Sequence, residues 1–367
     1  MDGTADRRWM ARALRLASTV AGTTWPNPGV GCVLVREGRV LGQGTTAPRD
    51  AGPQVHAEAA ALADAARHGE NPQGATAYVT LAPCTSRSTP GTTACAEALI
   101  SAGIARVVVA IDDPHQPASA ERFAAAGVAW TSGVLTEAAR HLHGGFLTRM
   151  TLRRPRFTGK WAASLDGFLA TANRQPGWLS HPEALALSRR RRRAFDAILI
   201  GAGTARTDDP SLLSSRPRRR SGTGTPLRIV VGRDPALADD ARLLTTLDAA
   251  PLLIVHDPAT DVAGLRAWGA ECLALEDLHD VVRLGQTLGA WGLNDILVEG
   301  GARLHAAFLA AGLYDRLEVY QGGLTLGGGL PPADGPGVSH VADGRTWRPE
   351  DVPRLLGTTI VSRWTRS

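Results

Sequence analysis

Short apolar runs alternate along this chain with segments of helical spacing, and that alternation restricts it to a layered α/β architecture. Residues 30–35 (VGCVLV) form one run, closed by Pro-Gly on one side and Arg-Glu-Gly on the other. Residues 77–81 and 105–111 (ARVVVAI) form two more. Helical spacing over 9–20, 58–67 and 95–102 separates them. The rhythm breaks at 149–156 (RMTLRRPR), a charged stretch with a proline. It reads as a linker between a first domain at 1–148 and a second at 153–367, and 367 residues suit two domains. Strands are predicted again at 197–200, 227–231, 252–255, 296–298 and 317–320, and residues 216–225 (RPRRRSGTGT) read as a mobile loop.

Composition excludes several classes. At 44% hydrophobic and 20% charged residues, the chain can bury ordinary cores and is not disordered. No apolar run reaches the roughly 18–20 residues of a membrane span. The segment MDGTADRRWMARALRLAS lacks the apolar core of a signal peptide, so the expected location is the cytoplasm. Four cysteines are too few for a disulfide scaffold. Lys+Arg exceed Asp+Glu by 40 to 35, with the excess concentrated at 189–193 and at Arg216, Arg218, Arg219 and Arg220. Such runs read either as a solvated helix face and loop or as a site for the phosphates of a small ligand. Nucleic acid is a weaker third reading, because no aromatic residues are interleaved.

The chemistry of the first domain is concentrated in His56-Ala57-Glu58, Pro83-Cys84 and Cys95. His and Glu two apart, then Pro-Cys, then Cys is the order found in zinc-dependent nucleobase deaminases. One imidazole and two thiolates hold zinc and leave a fourth position for water. The metal lowers the pKa of that water, and Glu58 carries protons without ligating the metal. His56 and Cys95 fall at predicted helix starts, where the helix dipole favours thiolate. Cys32 and Cys272 lie in apolar stretches and read as buried small hydrophobes.

In the second domain, glycines recur where strands end. Gly201-Ala-Gly-Thr204 follows one strand, with Asp208-Asp209-Pro210 beyond it, and Glu299-Gly300-Gly301 follows another and enters a helix. Such turns let backbone N–H groups approach phosphate, and two in one sheet fit a dinucleotide. Neither is the G-x-G-x-x-G fingerprint, and each alone is also compatible with a plain tight turn. After strand 227–231 comes Gly232-Arg233, where an NAD-type site would prefer a carboxylate, so Arg233 is the candidate reader of an NADPH 2′-phosphate.

Over nearly its whole length the chain resembles the RibD family, the bifunctional deaminase/reductases of riboflavin biosynthesis. The resemblance is carried by Pro26-Asn27-Pro28-Gly29-Val30-Gly31-Cys32, His56-Ala57-Glu58, Pro83-Cys84, Cys95, Asp113-Pro114, Lys160-Trp-Ala-Ala-Ser164-Leu-Asp166-Gly167, Gly201-Ala-Gly203-Thr204 and Val298-Glu299-Gly300-Gly301. It implies a cytidine-deaminase-like αβα layered domain followed by a dihydrofolate-reductase-like α/β domain. It implies zinc on His56, Cys84 and Cys95, and NADPH phosphates near Gly201, Thr204, Gly300 and Gly301. Asn27 would contact the pyrimidine ring. The reducible sugar would lie between Lys160, Asp208 or Asp209, and Glu299, with Lys160 as the electrostatic or proton-donating partner; the simpler reading of Lys160 is a strand lysine reaching solvent. A homo-oligomer formed through the reductase domain is implied as well.

Departures from the family pattern bear on the substrate. Ala82 stands where the family has Glu before Pro-Cys, and the stretch 85–94 (TSRSTPGTTA) is longer than usual and lacks its histidine, leaving Arg87 as the basic candidate. Leu185 replaces an arginine that helps grip the substrate phosphate, and a second arginine falls one place late, at Arg216. Arg189, Arg190 or Arg192 could substitute. The leading expectation is deamination of an aminopyrimidine-type ring and reduction of its ribosyl group. The alternatives are a paralogue acting on a related heterocycle, a nucleic-acid-editing deaminase, and an inactive zinc scaffold. Glu58 argues against the scaffold, since a structural zinc needs no proton carrier.

Overall fold

Successive residues of the predicted strands at 30–35, 77–81 and 105–111 bury themselves on opposite sides of one sheet. In the computed structural model, which describes residues 3–86, 93–173, 177–214 and 225–367, the chain divides into two compact units, Met1–Arg153 and Arg154–Ser367. The first carries α1 (Gly3–Ser18), β1 (Gly31–Arg36), β2 (Arg39–Thr45), α2 (Ala57–Arg67), β3 (Thr76–Val79), α3 (Cys95–Ser101), β4 (Arg106–Val109), α4 (Ser119–Ala125), β5 (Ala129–Thr131) and α5 (Thr136–Leu152). Its five-stranded sheet runs β2-β1-β3-β4-β5. Cys32, Leu34, Ala77, Val79, Val107 and Val109 share a core with α2, α3 and Phe123 of α4. Val33, Val35, Tyr78 and Val108 pack instead with Trp9, Met10 and Ala13 of α1 and Ala139 of α5. Strands buried on both faces carry no polar alternation, which is why they read as unbroken apolar runs.

Backbone contact fixes the position of α2. Its partner strand, β2, is joined to β1 by Glu37-Gly38, both at positive φ (51° and 73°), the hand that suits a two-residue hairpin turn. A Cβ added at Gly42 of β2 would come within 2.3 Å of the Ala61 carbonyl oxygen, and one at Gly44 within 2.5 Å of the Ala61 nitrogen. Glycine on the strand and alanine on the helix therefore let the two backbones touch.

The second unit carries β6 (Arg156–Ala163), α6 (Pro182–Arg191) with a 3-10 turn at Arg192–Ala194, β7 (Ala197–Gly201), α7 (Ala202–Asp208), β8 (Leu227–Val231), β9 (Leu252–His256), α8 (Ala263–Ala267), β10 (Glu271–Ala274), α9 (Val281–Ala290), β11 (Asp295–Gly300), α10 (Ala302–Ala310), β12 (Tyr314–Gln321), β13 (Trp347–Pro349), β14 (Arg354–Leu356) and β15 (Thr359–Arg366). The sheet order is β10-β9-β8-β7-β11-β6-β12-β15-β13, with β14 beside β15. It is parallel from β10 to β12 and antiparallel beyond. The chain steps outward from β7 to β10 and then returns to insert β11 between β7 and β6. That reversal opens a crevice at the carboxyl ends of the strands, the usual place for a ligand in such sheets.

Two expectations need correction. The stretch 149–156 is not a free linker: Arg149 to Leu152 complete α5 and Arg156 begins β6. The helix ends where Arg153 turns left-handed (φ 59°) ahead of Arg154-Pro155, since proline disfavours helix in the residue before it. The antiparallel strands β13 to β15 escaped the apolar-run criterion because β15 (TIVSRWTR) mixes buried and half-exposed polar positions. Residues 216–224 of the expected mobile loop lie outside the described residues. Among the described residues, no helix is long and apolar enough to cross a membrane.

A buried charge cluster anchors α1 to the first sheet. The Asp6 carboxylate accepts from Tyr78 Oη at 2.9 Å and from Arg106 Nη1 and Nη2 at 2.9 and 2.7 Å. The Arg106 hydrogen bond holds the Asp6 carboxyl below the usual carboxylate range, against the opposing effect of burial. Its stabilisation is therefore complete above that range and is lost as pH falls through the lowered value. Asp6→Asn should cost about 3–5 kcal/mol at neutral pH. In thermal melts the gap from wild type should shrink below about pH 4; equal gaps at acid and neutral pH would show that the carboxylate charge contributes nothing.

Candidate functional site

Helix starts assemble the site of the first unit. His56 is the N-cap of α2 and Glu58 lies in its first turn. Cys95 is the first residue of α3, whose backbone reaches back to Cys84: Cys95 N–H donates to Cys84 Sγ at 3.4 Å and Ala96 N–H to the Cys84 carbonyl at 3.0 Å. His56 Nδ1 lies 3.7 Å from Cys84 Sγ and 3.3 Å from Cys95 Sγ, and the three ligand atoms fall within 4.8 Å of one another. Four-coordinate zinc at its usual bond lengths separates such atoms by roughly 3.5–3.8 Å. The donor set and its spacing thus fit zinc. A hydrogen bond from Cys95 pulls the Cys84 thiol down to about 4, against burial, and the same bond pushes Cys95 up. Glu58 is 3% exposed, and burial raises its carboxyl.

The surroundings of this centre are built from residues that carried no sequence signal. Gln116 Oε1 accepts from Thr85 N–H and Oγ1 at 2.9 Å each, and Ser119 Oγ donates to the Pro83 carbonyl at 2.8 Å. Together they brace the Pro83-Cys84-Thr85 turn. Asn27 Nδ2 donates to Gln54 Oε1 at 2.9 Å, which places Asn27 beside the segment that leads into His56. Arg87 lies outside the described residues. Cys32 is fully buried in the core, as expected, and Cys272 is half-buried against the core of the second unit.

In the second unit, the two glycine turns meet. β7 ends at Gly201 and enters α7, and its neighbour β11 ends at Gly300 and enters α10 across a cis Gly300–Gly301 peptide. A Cβ on Gly301 would lie 2.9 Å from Thr204 Oγ1. Gly201, Thr204, Gly300 and Gly301 therefore converge where the sheet reverses. Beyond β8, Gly232 passes so close to α7 that a Cβ there would fall 2.5 Å from that of Ala202. Arg233 follows it, exposed, with Nη2 3.4 Å from His279 Nε2.

Lys160 sits on β6, between β11 and β12. Burial lowers its pKa, partly offset by Glu299. Arg192 grips Glu299 through Nε at 2.7 Å and Nη2 at 2.8 Å, and donates Nη1 to the Leu213 carbonyl at 3.0 Å. Burial pushes the Glu299 carboxyl up, but the Arg192 and Lys160 charges outweigh it and leave it at about 2. Asp208 is exposed at the end of α7 and makes no hydrogen bond or ion pair among the described residues. Asp209 Oδ1 accepts from Arg242 N–H at 2.8 Å. Arg216 lies outside the described residues, and Leu185 is half-buried on α6.

The arginine run at 189–193 divides into two kinds. Arg189, Arg190 and Arg193 are exposed, as a solvated face requires, whereas Arg191 and Arg192 turn inward onto Glu318 and Glu299. With both heads paired, Arg192 is not available to replace the phosphate-gripping arginine. His305 of α10 also carried no signal. It is 1% exposed, hydrogen-bonds Tyr314 Oη through Nδ1 at 2.6 Å, and is held neutral, its pKa lowered to about 4 by burial and the nearby Lys160. One overlooked signal lay in the composition: Lys160 is the only lysine in the chain.

Known proteins resemble each of the two units. The family model "Cytidine and deoxycytidylate deaminase zinc-binding region" matches residues 4–111, and "RibD C-terminal domain" matches 155–355. The chain is 35% identical to riboflavin biosynthesis protein RibD of Aquifex aeolicus, over 90% of each protein. It is 36% identical to the RibD of Mycobacterium tuberculosis, over 96% of this chain and 95% of that one. A diaminohydroxyphosphoribosylaminopyrimidine deaminase/5-amino-6-(5-phosphoribosylamino)uracil reductase from Thermotoga maritima superposes with a TM-score of 0.86 at 27% identity, covering 100% of this chain and 99% of the other.

The ligand geometry makes a direct prediction for metal analysis. The purified chain should carry one zinc, and Cys84→Ser with Cys95→Ser should abolish it while the second unit stays folded. Full retention of zinc by the double variant would place the metal elsewhere.

Proposed function

This chain belongs to the RibD family of bifunctional riboflavin-biosynthesis enzymes, and from the geometry of its two units we propose which residues carry each reaction. The protein is a zinc-dependent deaminase and an NADPH-dependent reductase. The observation that carries the assignment is the convergence of His56, Cys84 and Cys95 with the buried Glu58 beside them.

For deamination, His56, Cys84 and Cys95 would hold zinc, which when bound would lower the pKa of its water so that hydroxide is available near neutral pH. Glu58 would carry the water's two protons in turn, the first to the ring nitrogen and the second to the departing amine, a task suited to a carboxyl that burial has raised. Asn27 orients the pyrimidine ring, and Arg87 is the basic candidate on the intervening loop. For reduction, Gly201, Thr204, Gly300 and Gly301 receive the cofactor phosphates, and Arg233 reads the 2′-phosphate. Bound there, NADPH would be the source of the hydride for the sugar. Lys160 faces the sugar as proton donor, with Glu299 fixed by Arg192 and Asp208 as the carboxylate left unpaired. Asp209, engaged by Arg242, supports the turn, and Arg216 remains the candidate for the sugar phosphate.

The substrate proposed is the phosphorylated aminopyrimidine riboside of riboflavin synthesis. Leu185 favours a second reading, in which a related heterocycle replaces it, because a half-buried leucine cannot grip phosphate. We place the enzyme in the cytoplasm, where its four free thiols stay reduced. We assign it to a homo-oligomer formed through the second unit, where Val352, Leu355 and Ile360 leave apolar surface exposed around β14 and β15.

Incubation with the deaminated and non-deaminated intermediates, each with and without NADPH, tests the function. Turnover of neither phosphorylated compound, with turnover of a non-phosphorylated analogue, would select the second reading. Glu58→Gln should keep zinc and fold but lose deamination by about 10²–10⁴-fold, with reduction unchanged; a loss of only a few-fold would remove Glu58 from the proton path. Arg233→Ala should weaken NADPH binding about tenfold or more and leave NADH unaffected. Equal weakening of both would show that Arg233 does not read the 2′-phosphate.

A further inference from the structure

The chain holds 39 arginines and one lysine, Lys160. A guanidinium stays charged at every physiological pH, whereas a buried ammonium can be tuned to release its proton. The strands on either side of Lys160 each carry a buried carboxylate. Glu318 of β12 is its register partner, with a side chain 4% exposed, and Glu299 of β11 has a side chain 7% exposed. Two carboxylates flanking a buried ammonium would ordinarily close on it as ion pairs. Here each is taken by an arginine instead. Arg191 binds Glu318 through Nη2 and through Nε, at 2.9 and 2.8 Å from the two carboxylate oxygens. Arg192 binds Glu299 through Nε and Nη2 at 2.7 and 2.8 Å. Among the described residues the Lys160 ammonium makes no hydrogen bond or ion pair, and lies 5.3 Å from the centroid of the Tyr320 ring.

We propose that the consecutive Arg191 and Arg192 are positioning residues that hold Glu318 and Glu299 off Lys160, leaving its ammonium unpaired and able to give a proton to the reductase substrate. The proposal rests on the reading of Lys160 as the proton donor. The groups that face Lys160 are Glu299 from β11, Glu318 and Tyr320 from β12, Arg192 from the turn after α6, and His305 from α10, whose neutral ring hydrogen-bonds the Lys160 backbone, while Arg191 at the end of α6 is paired with Glu318. Burial and the Arg192 charge lower the Lys160 pKa, and the two carboxylates oppose them. Removing Arg192 takes away a repelling charge and frees Glu299, and removing Arg191 frees Glu318, so each change raises the affinity of Lys160 for its proton.

A single lysine makes the test direct, because the full-length zinc enzyme labelled with [ε-13C]lysine gives one side-chain lysine signal. The wild-type titration midpoint should lie below the ordinary lysine value of about 10.4. Arg191→Met and Arg192→Met should each raise it by about 1–3 pH units and move the alkaline limb of the reductase profile the same way. Arg191→Met combined with Glu318→Leu removes clamp and carboxylate together and should return the midpoint toward wild type. That double variant also decides the matter if the single variants fold poorly: a midpoint near wild type is expected, and one raised by about 1 pH unit or more with Glu318 gone would exclude Glu318 as the cause and overturn the clamp. Midpoints in the single variants within a few tenths of wild type would overturn the clamp. Undiminished reduction by Lys160→Met would overturn the donor role itself, whereas loss of reduction in Lys160→Met with unmoved midpoints in the arginine variants would overturn the clamp alone.

Discussion

Backbone N–H groups at the head of α3 hold Cys84 by its sulfur and by its carbonyl, and the chemistry of the first unit depends on that hold. It ties a turn after β3 to the first residue of a helix, so the residues between Cys84 and Cys95 do not themselves have to position the thiols. Loop-closure entropy grows only slowly with length, which is why a longer connection leaves the ligand geometry intact. His56 is placed more directly, as the N-cap of α2 itself. Helix starts leave donors unpaired and favour negative charge, so they suit thiolates whatever loop precedes them.

The second unit spends its buried charge differently. Two arginine–glutamate pairs in the interior are a poor way to gain stability, because desolvation offsets much of their attraction and apolar replacements often do as well. Their value here is geometric. They occupy the side chains that would otherwise neutralise Lys160.

Much of this was legible before any coordinates. Strands buried on both faces betray themselves as unbroken apolar runs, and the metal ligands betray themselves because few other functions need His, Glu, Pro-Cys and Cys in that order. The inward turn of Arg191 and Arg192 was not legible. Five consecutive arginines read as a solvated face or a phosphate site, and the partners of Arg191 and Arg192 lie 127 and 107 residues away in the chain. Arg149 to Leu152 misled in the opposite way, since charge and a nearby proline suggested a linker where the last turn of α5 continues to Leu152. Gln116 and Ser119 were invisible for a simpler reason: nothing local distinguishes a polar side chain that braces a distant turn from one that faces water.

Direct backbone contact between Gly42, Gly44 and α2 makes the metal centre mechanically stiff. Ordinary helices ride on a layer of side chains that can change rotamer and absorb a small displacement. Here no such cushion exists beneath Ala61, so a methyl group introduced on β2 has to push the helix as a rigid rod. The head of that rod carries His56 and Glu58. Drift in an outwardly silent strand would therefore register as altered metal affinity, because the two glycines set where α2 presents His56 and Glu58.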